Sequence, residues 1–192
     1  MRIRPASSSD VPALDALIGR SVRGLGAGLY TSAQIEGALR HVFGVDSQLI
    51  ADGSYYVVDA GTGPVAAGGW SARRTLYGGD QAKRSSDPRL DPTTHPARIR
   101  AFFVDPAWAR RGLARRLFAE CQRAAWAAGF RTFELVATLP GEPLYTALGF
   151  APRELVAIPL PDGLTLPCVR MVRAVGPVPP AHHDVTAPHL VK

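Results

Sequence analysis

The stretch from Ile99 to Ala137 constrains the fold most. An apolar run from Ile99 to Val104 is cut by Asp105-Pro106, after which Leu113, Leu117, Cys121 and Ala125 recur at steps of four and Phe118 widens their stripe. That spacing predicts a helix over residues 112–128 with one buried face. Gly129 suits the left-handed residue that closes such a helix, and Thr132 to Ala137 carries residues favoured in strands. A strand, helix, strand unit of this kind places the chain in a mixed α/β class.

The flanks extend that unit. Arg2 to Pro5 reads as a short strand, and Ser7 to Asp10 offer capping oxygens to a helix bearing Val11, Leu14, Leu17, Ile18 and Val22. Gly24 to Gly28 predict a break before a second helix, which Thr31 and Gln34 cap and Ile35, Leu39, Val42 and Phe43 bury. Ser54 to Ala60 and Val65 to Trp70 read as a hairpin around Gly61-Thr62-Gly63. Residues 71–97 form a polar connection long enough to be either functional or disordered, and both readings stand. Leu144 to Leu148 predicts a short helix closed by Gly149, and strands near 153–158 and 166–173 flank Pro161-Asp162-Gly163. One domain is expected over residues 1–175, with 176–192 as a mobile tail holding His182, His183 and His189. These histidines form no recognisable ligand pattern, so no metal is expected.

Composition sharpens the functional question. The 192 residues are 46% hydrophobic and 20% charged, which excludes a wholly disordered chain or a fibre. Basic side chains outnumber acidic ones by 22 to 16, and all but Lys83 and Lys192 of the basic set are arginine. Cys121 and Cys168 make no disulfide framework or metal pair, and no apolar segment marks a leader or a membrane span, so a cytoplasmic protein is expected.

The charge gathers at the strand-to-helix junction, where six arginines between Arg98 and Arg116 face one acid, Asp105. The first amides of a helix starting near Gly112 would point outward unpaired, and the positive end of its dipole would add to Arg110, Arg111 and Arg115. A pyrophosphate suits such a place. A solvated basic helix face is the plainer reading, and a nucleic-acid surface a third, although Phe102 and Phe103 lie in an apolar run rather than among the basic residues.

The segment VDPAWARRGLARRLF resembles the acetyl-coenzyme A binding motif of the GCN5-related N-acetyltransferases, the GNAT superfamily. Gly112 and Ala114 match the last two fixed positions, while Ala109 stands where the family has Gln or Arg. Ile3 to Ala6 with Asp10 is similar to the family's opening, and Pro143-Leu144-Tyr145 with Leu148-Gly149-Phe150 to its closing helix. The resemblance runs from about Arg2 to Arg173.

It implies a mixed, mostly antiparallel sheet flanked by helices, and acetyl-coenzyme A as co-substrate. Phe102, Phe103 and Val104 would pair through their main chain with the pantetheine arm, and Ala109, Arg110, Arg111, Gly112, Leu113, Ala114 and Arg115 would form the pyrophosphate loop. The implied reaction is direct acetyl transfer to a primary amine of a small molecule or peptide; an acyl-coenzyme A sensor without turnover is the alternative. An alkyl ammonium, with a pKa of about 10.4, must first lose a proton, and the departing thiolate benefits from receiving one. Tyr145 matches the family's tyrosine acid, though a tyrosine there also packs. Glu134 is the acid on the next strand and a candidate base, with surface pairing to Arg or Lys as its other reading; Glu142 and Asp80 are weaker candidates. Tyr30, Trp70, Tyr77 and Asp80 would line the amine pocket, with Trp70 equally suited to the core. No nucleic-acid or membrane partner is expected, and a homodimer stays open.

Overall fold

The computed structural model describes residues 1–83 and 87–174, so the tail with His182, His183 and His189 lies outside the described residues. Seven strands form one sheet: β1 (Arg2–Pro5), β2 (Tyr55–Asp59), β3 (Pro64–Ser71), β4 (Ala97–Val104), β5 (Thr132–Thr138), β6 (Ala151–Pro159) and β7 (Thr165–Ala174). Their order is β1-β2-β3-β4-β5-β7-β6. Every neighbouring pair is antiparallel except β4 with β5, the mixed and mostly antiparallel arrangement that the resemblance implies.

Among the described residues five α-helices pack on it: α1 (Val11–Gly26), α2 (Ser32–His41), α3 (Ser47–Ala51), α4 (Leu113–Ala127) and α5 (Glu142–Ala147). None among the described residues is long and apolar enough to cross a membrane. The stripe of α4 is buried as its spacing predicts: Phe118, Cys121 and Ala125 meet Ile99, Phe133 and Leu135 on one face of the sheet. On the other face, Leu14, Leu17 and Ile18 of α1 meet Val57 and Ala67. Farther along that face, Ala38 and Val42 from α2 and its end pack with Cys168, Leu166 and Val136.

Two elements differ from the sequence reading. Helix α1 runs through Gly24 to Gly26 instead of breaking, because Gly24 is where α1 touches the turn Pro106–Trp108. A Cβ there would stand 2.4 Å from the Pro106 ring, so the glycine serves close packing and the chain leaves the helix only at Ala27. The unforeseen helix is α3, a single turn that Asp46 caps by accepting from the amides of Gln48 and Leu49. The long connection is tied down as well: Arg73 grips the Asp52 carboxylate, and Leu90 is buried under the α4 side of the sheet.

Candidate active site

Strands β4 and β5 are paired at only two rungs, Ala97 with Phe133 and Arg98 with Glu134, and then part. A bulge in β4 accompanies the parting. Ala101 takes φ +56°, and three steps of β4, from Arg100 to Phe103, span two steps of β3. The extra residue reverses the alternation: Ile99 packs on the α4 face before it, and Phe102 after it. Gly68 of β3 admits the Phe102 ring, which a Cβ there would meet at 2.7 Å.

The main chain facing the gap follows from the register. The Asp105 amide donates to Val65 C=O at 2.9 Å, and Phe103 pairs opposite Ala67, so by alternation Phe103 directs its main-chain groups at β3. That removes Phe103 from the gap-facing set, and its ring instead meets Phe43 edge-on at 6.1 Å. Phe102 and Val104 face away from β3. The Val104 amide already donates to the buried Ser21 hydroxyl of α1 at 3.1 Å, a partner the sequence did not announce.

At the far end of β4 the chain turns through two left-handed residues, Arg110 at φ +62° and Gly112 at φ +76°, before α4 begins. The first helical bond runs from the Arg116 amide to Gly112 C=O, and the amides of residues 110–115 donate to nothing among the described residues. A Cβ built on Gly112 meets no atom within 4 Å, so the space over that turn is open. A concave row of amides at a helix N-terminus, ringed by Arg110, Arg111 and Arg115, fits a pyrophosphate. Ala109 is the exception, its amide being spent on Pro106 C=O in the preceding turn.

Across the gap stands Tyr145 on α5. Its ring is 8% exposed and lies edge-on to Phe102 and Phe150, with centroids 6.2 and 5.7 Å apart. Its hydroxyl has no hydrogen bond to any described residue, and burial raises the phenol well above its ordinary range, so it stays protonated.

Glu134 sits on the opposite face of the sheet, 6% exposed, with Arg98 on one carboxylate oxygen and Arg170 on the other. This is ion pairing, the other reading its sequence position allowed, in a buried setting rather than at the surface.

The four residues expected around an amine do not converge. Trp70 packs edge-on against Phe130 at 6.0 Å in the α4-side core. Tyr30, on the other face, is a brace: its hydroxyl donates to Pro167 C=O at 2.7 Å and accepts from the Leu139 amide at 2.8 Å. Asp80 accepts from the Ser47 amide at the start of α3, and Tyr77 is exposed on the connection beside it. The sequence reading also missed Asp46, fully buried with Arg100 and Lys83 on its carboxylate. Nothing local singles out one aspartate among many; only the fold brings those cations to it.

A family model described as an acetyltransferase (GNAT) domain matches residues 51–152. Among solved structures, the chain is similar to a GCN5-related N-acetyltransferase from Rhodopseudomonas palustris, with TM-score 0.66, 16% identity, and coverage of 91% of this chain and 95% of that one. It also resembles the PaiA N-acetyltransferase from Thermoplasma acidophilum in complex with coenzyme A, with TM-score 0.61, 13% identity and coverage of 91% and 98%. A third likeness is to the ribosomal-protein-S18-alanine N-acetyltransferase from Escherichia coli, with TM-score 0.56, 16% identity and coverage of 95% and 98%. No curated protein matches. The likenesses carry the fold, and the family match covers more than half of the chain, including the parted strands, the amide row and the whole of α5: the chain belongs to the GNAT acetyltransferase family.

Proposed function

We propose that this protein transfers the acetyl group of acetyl-coenzyme A to a primary amine. The observation that carries the reading is the row of undonated amides at residues 110–115 opening onto the β4–β5 gap. Bound there, the coenzyme supplies an acetyl group activated as a thioester. Phe102 offers main-chain groups to its arm, and Arg110, Arg111 and Arg115 add charge around its phosphates. From Val104 back to Arg98 the strand covers about 20 Å, so an arm laid beside β4 ends near the apex of the gap.

Tyr145 walls that gap and holds a proton, which suits a donor beside the departing sulfur. Glu134 borders the apex from the acceptor side, its charge fixed by Arg98 and Arg170, and acts as a positioning residue. Coenzyme binding without turnover is the second reading, favoured by the engagement of both Glu134 oxygens.

The test begins with thermal unfolding. Acetyl-coenzyme A at about 100 times its Kd adds roughly 2.7 kcal/mol, and at about 2 to 4 °C per kcal/mol the midpoint rises by about 5 to 11 °C. An unmoved midpoint at saturating coenzyme overturns both readings. Amine-dependent thiol release then selects transfer, and its absence over a broad amine panel selects binding alone.

A further inference from the structure

Ala101 holds a left-handed conformation, φ +56°, that its Cβ disfavours, so the surroundings must impose it. Two buried groups reach it from the α1 face. The first is Tyr55 of β2. Its ring lies fully buried among Leu14, Leu17 and Ala67 and crosses β3 over Gly69, its register partner, where a Cβ would stand 3.1 Å from Cδ2. The hydroxyl thereby reaches β4 and donates to the Ala101 C=O at 3.3 Å. That is long for a hydroxyl bond, yet it is the one the phenol makes among the described residues. The second is the side chain of Arg100, held by Asp46, with Nη1 2.9 Å from Oδ2, and by the Gly78 C=O. Burial, with the Asp46 charge behind it, pushes the Tyr55 phenol well above its ordinary range, so the hydroxyl keeps the proton it donates.

What the hold achieves follows from the peptide plane. In a trans peptide the Ala101 C=O and the Phe102 N–H point in opposite directions. With the carbonyl turned to Tyr55 over β3, the Phe102 amide turns away from β3 and towards the gap. Phe102 stands at no rung of either ladder, since the β3 register passes from Arg100 to Phe103 and the β5 pairing ends at Arg98. Of the three amides from Phe102 to Val104, that of Phe103 is directed at β3 and that of Val104 is spent on Ser21. The Phe102 amide is the one left for a ligand in the gap.

Resting on the acetyl-transfer reading, we infer that Tyr55 is a positioning residue: its hydroxyl fixes the Ala101–Phe102 peptide so that the Phe102 amide faces the acetyl carbonyl. In the transfer, the free-base amine forms a C–N bond to the thioester carbon and the carbonyl pair moves to oxygen. Return of that pair breaks the C–S bond, and the proton lost by nitrogen ends on sulfur. An amide already aimed at the oxygen stabilises its charge without reorganising when the charge forms. Tyr55 touches no reacting atom and acts through the peptide it holds. Tyr145 serves the sulfur, and Tyr55, through Phe102, serves the oxygen.

The experiment compares the wild type with Tyr55→Phe, which keeps the ring. Three quantities are read: the coenzyme-induced melting shift, steady-state thiol release with a panel amine that the wild type uses, and the infrared carbonyl band of acetyl-coenzyme A labelled with carbon-13 at the thioester and bound without amine. The wild type should move that band below its frequency in water. Tyr55→Phe should undo at least half of the displacement and lower kcat tenfold or more, with coenzyme Kd and amine KM within threefold. A loss of packing alone lowers the melting midpoint and leaves the band where the wild type has it. A kcat within threefold of wild type, or the same band in both proteins, overturns the inference while the coenzyme site stands. Should Tyr55→Phe fail to fold, Ala101→Gly, in which a positive φ carries no Cβ penalty, is compared with the double variant Tyr55→Phe and Ala101→Gly, and the same outcomes decide. If the wild type shows no melting shift, or no thiol release with any amine, the acetyl-transfer reading and the inference fall together.

Discussion

Tyr145 and Phe102 meet edge-to-face with ring centroids 6.2 Å apart, joining α5 to β4 across a gap that the main chain leaves unpaired. The contact seals the α4 side of the gap with aromatic surface and leaves the phenolic hydroxyl without a partner among the described residues. Ring and hydroxyl thereby have separable tasks.

Tyr145→Phe keeps the ring and removes the hydroxyl. The melting temperature should stay within about 2 °C and coenzyme affinity within about threefold, while kcat falls by about tenfold or more. An unchanged kcat in a steady-state thiol assay removes Tyr145 from the proton-holding role.

Gly112 sits at φ +76° with open space where a Cβ would project. Gly112→Val should cost about 1 to 2 kcal/mol of stability through backbone strain and raise the Kd for coenzyme A at least tenfold by filling the approach to the amide row. Calorimetric titration of the folded variant reads this directly, and wild-type affinity would show that the phosphates bind elsewhere.

Tyr30→Phe removes the hydroxyl that bridges Pro167 and Leu139. Two main-chain groups then lose their partner, for an expected loss of about 1 to 3 kcal/mol in denaturant unfolding. Because the bridge fixes the α1–α2 connection over the end of β5, KM for the amine should rise more than the Kd for coenzyme.

Asp10 accepts from Arg4 at 2.7 and 2.8 Å and from the Ser7 amide at 2.8 Å, and the Arg4 guanidinium holds its carboxyl far below the usual carboxylate range. A carboxylate depressed in the folded state contributes stability above its unfolded pKa of about 4, and that contribution fades as pH falls below it. Asp10→Asn should therefore cost about 1 to 2 kcal/mol at pH 7 and shrink the loss of stability between about pH 4 and pH 2. Urea titrations of both proteins across that range check the sign.

What the sequence disclosed was local. The step-of-four stripe from Leu113 to Ala125 located α4, and Gly112 with its neighbouring arginines located the amide row, because helix periodicity and capping are written in adjacent residues. The bulge at Ala101 was not legible: alanine carries no mark of a left-handed conformation, and the strain is imposed by pairing with β3. For the same reason Phe103 read as equivalent to Phe102. The cluster of Arg98, Arg170 and Glu134 joins residues from three strands, so its existence had no linear signature. The dispersal of Tyr30, Trp70, Tyr77 and Asp80 has a parallel cause, since aromatic residues near a loop give no sign of which sheet face they will take.

The reversal at Ala101 also bears on how this chain tolerates length changes. Removing one residue between Ile99 and Phe102 would bring the two to the plain two-residue spacing of a strand, leaving Phe102 on the α4 face and Phe103 on the α1 face while abolishing the bulge. Deletion of Ala101 should consequently leave the protein folded while removing the left-handed kink that accompanies the parting of β4 from β5. A melting curve and a coenzyme titration of the Ala101-deleted protein would then come apart, an unchanged midpoint with weakened coenzyme binding showing that the extra residue serves the gap and not the packing of the sheet.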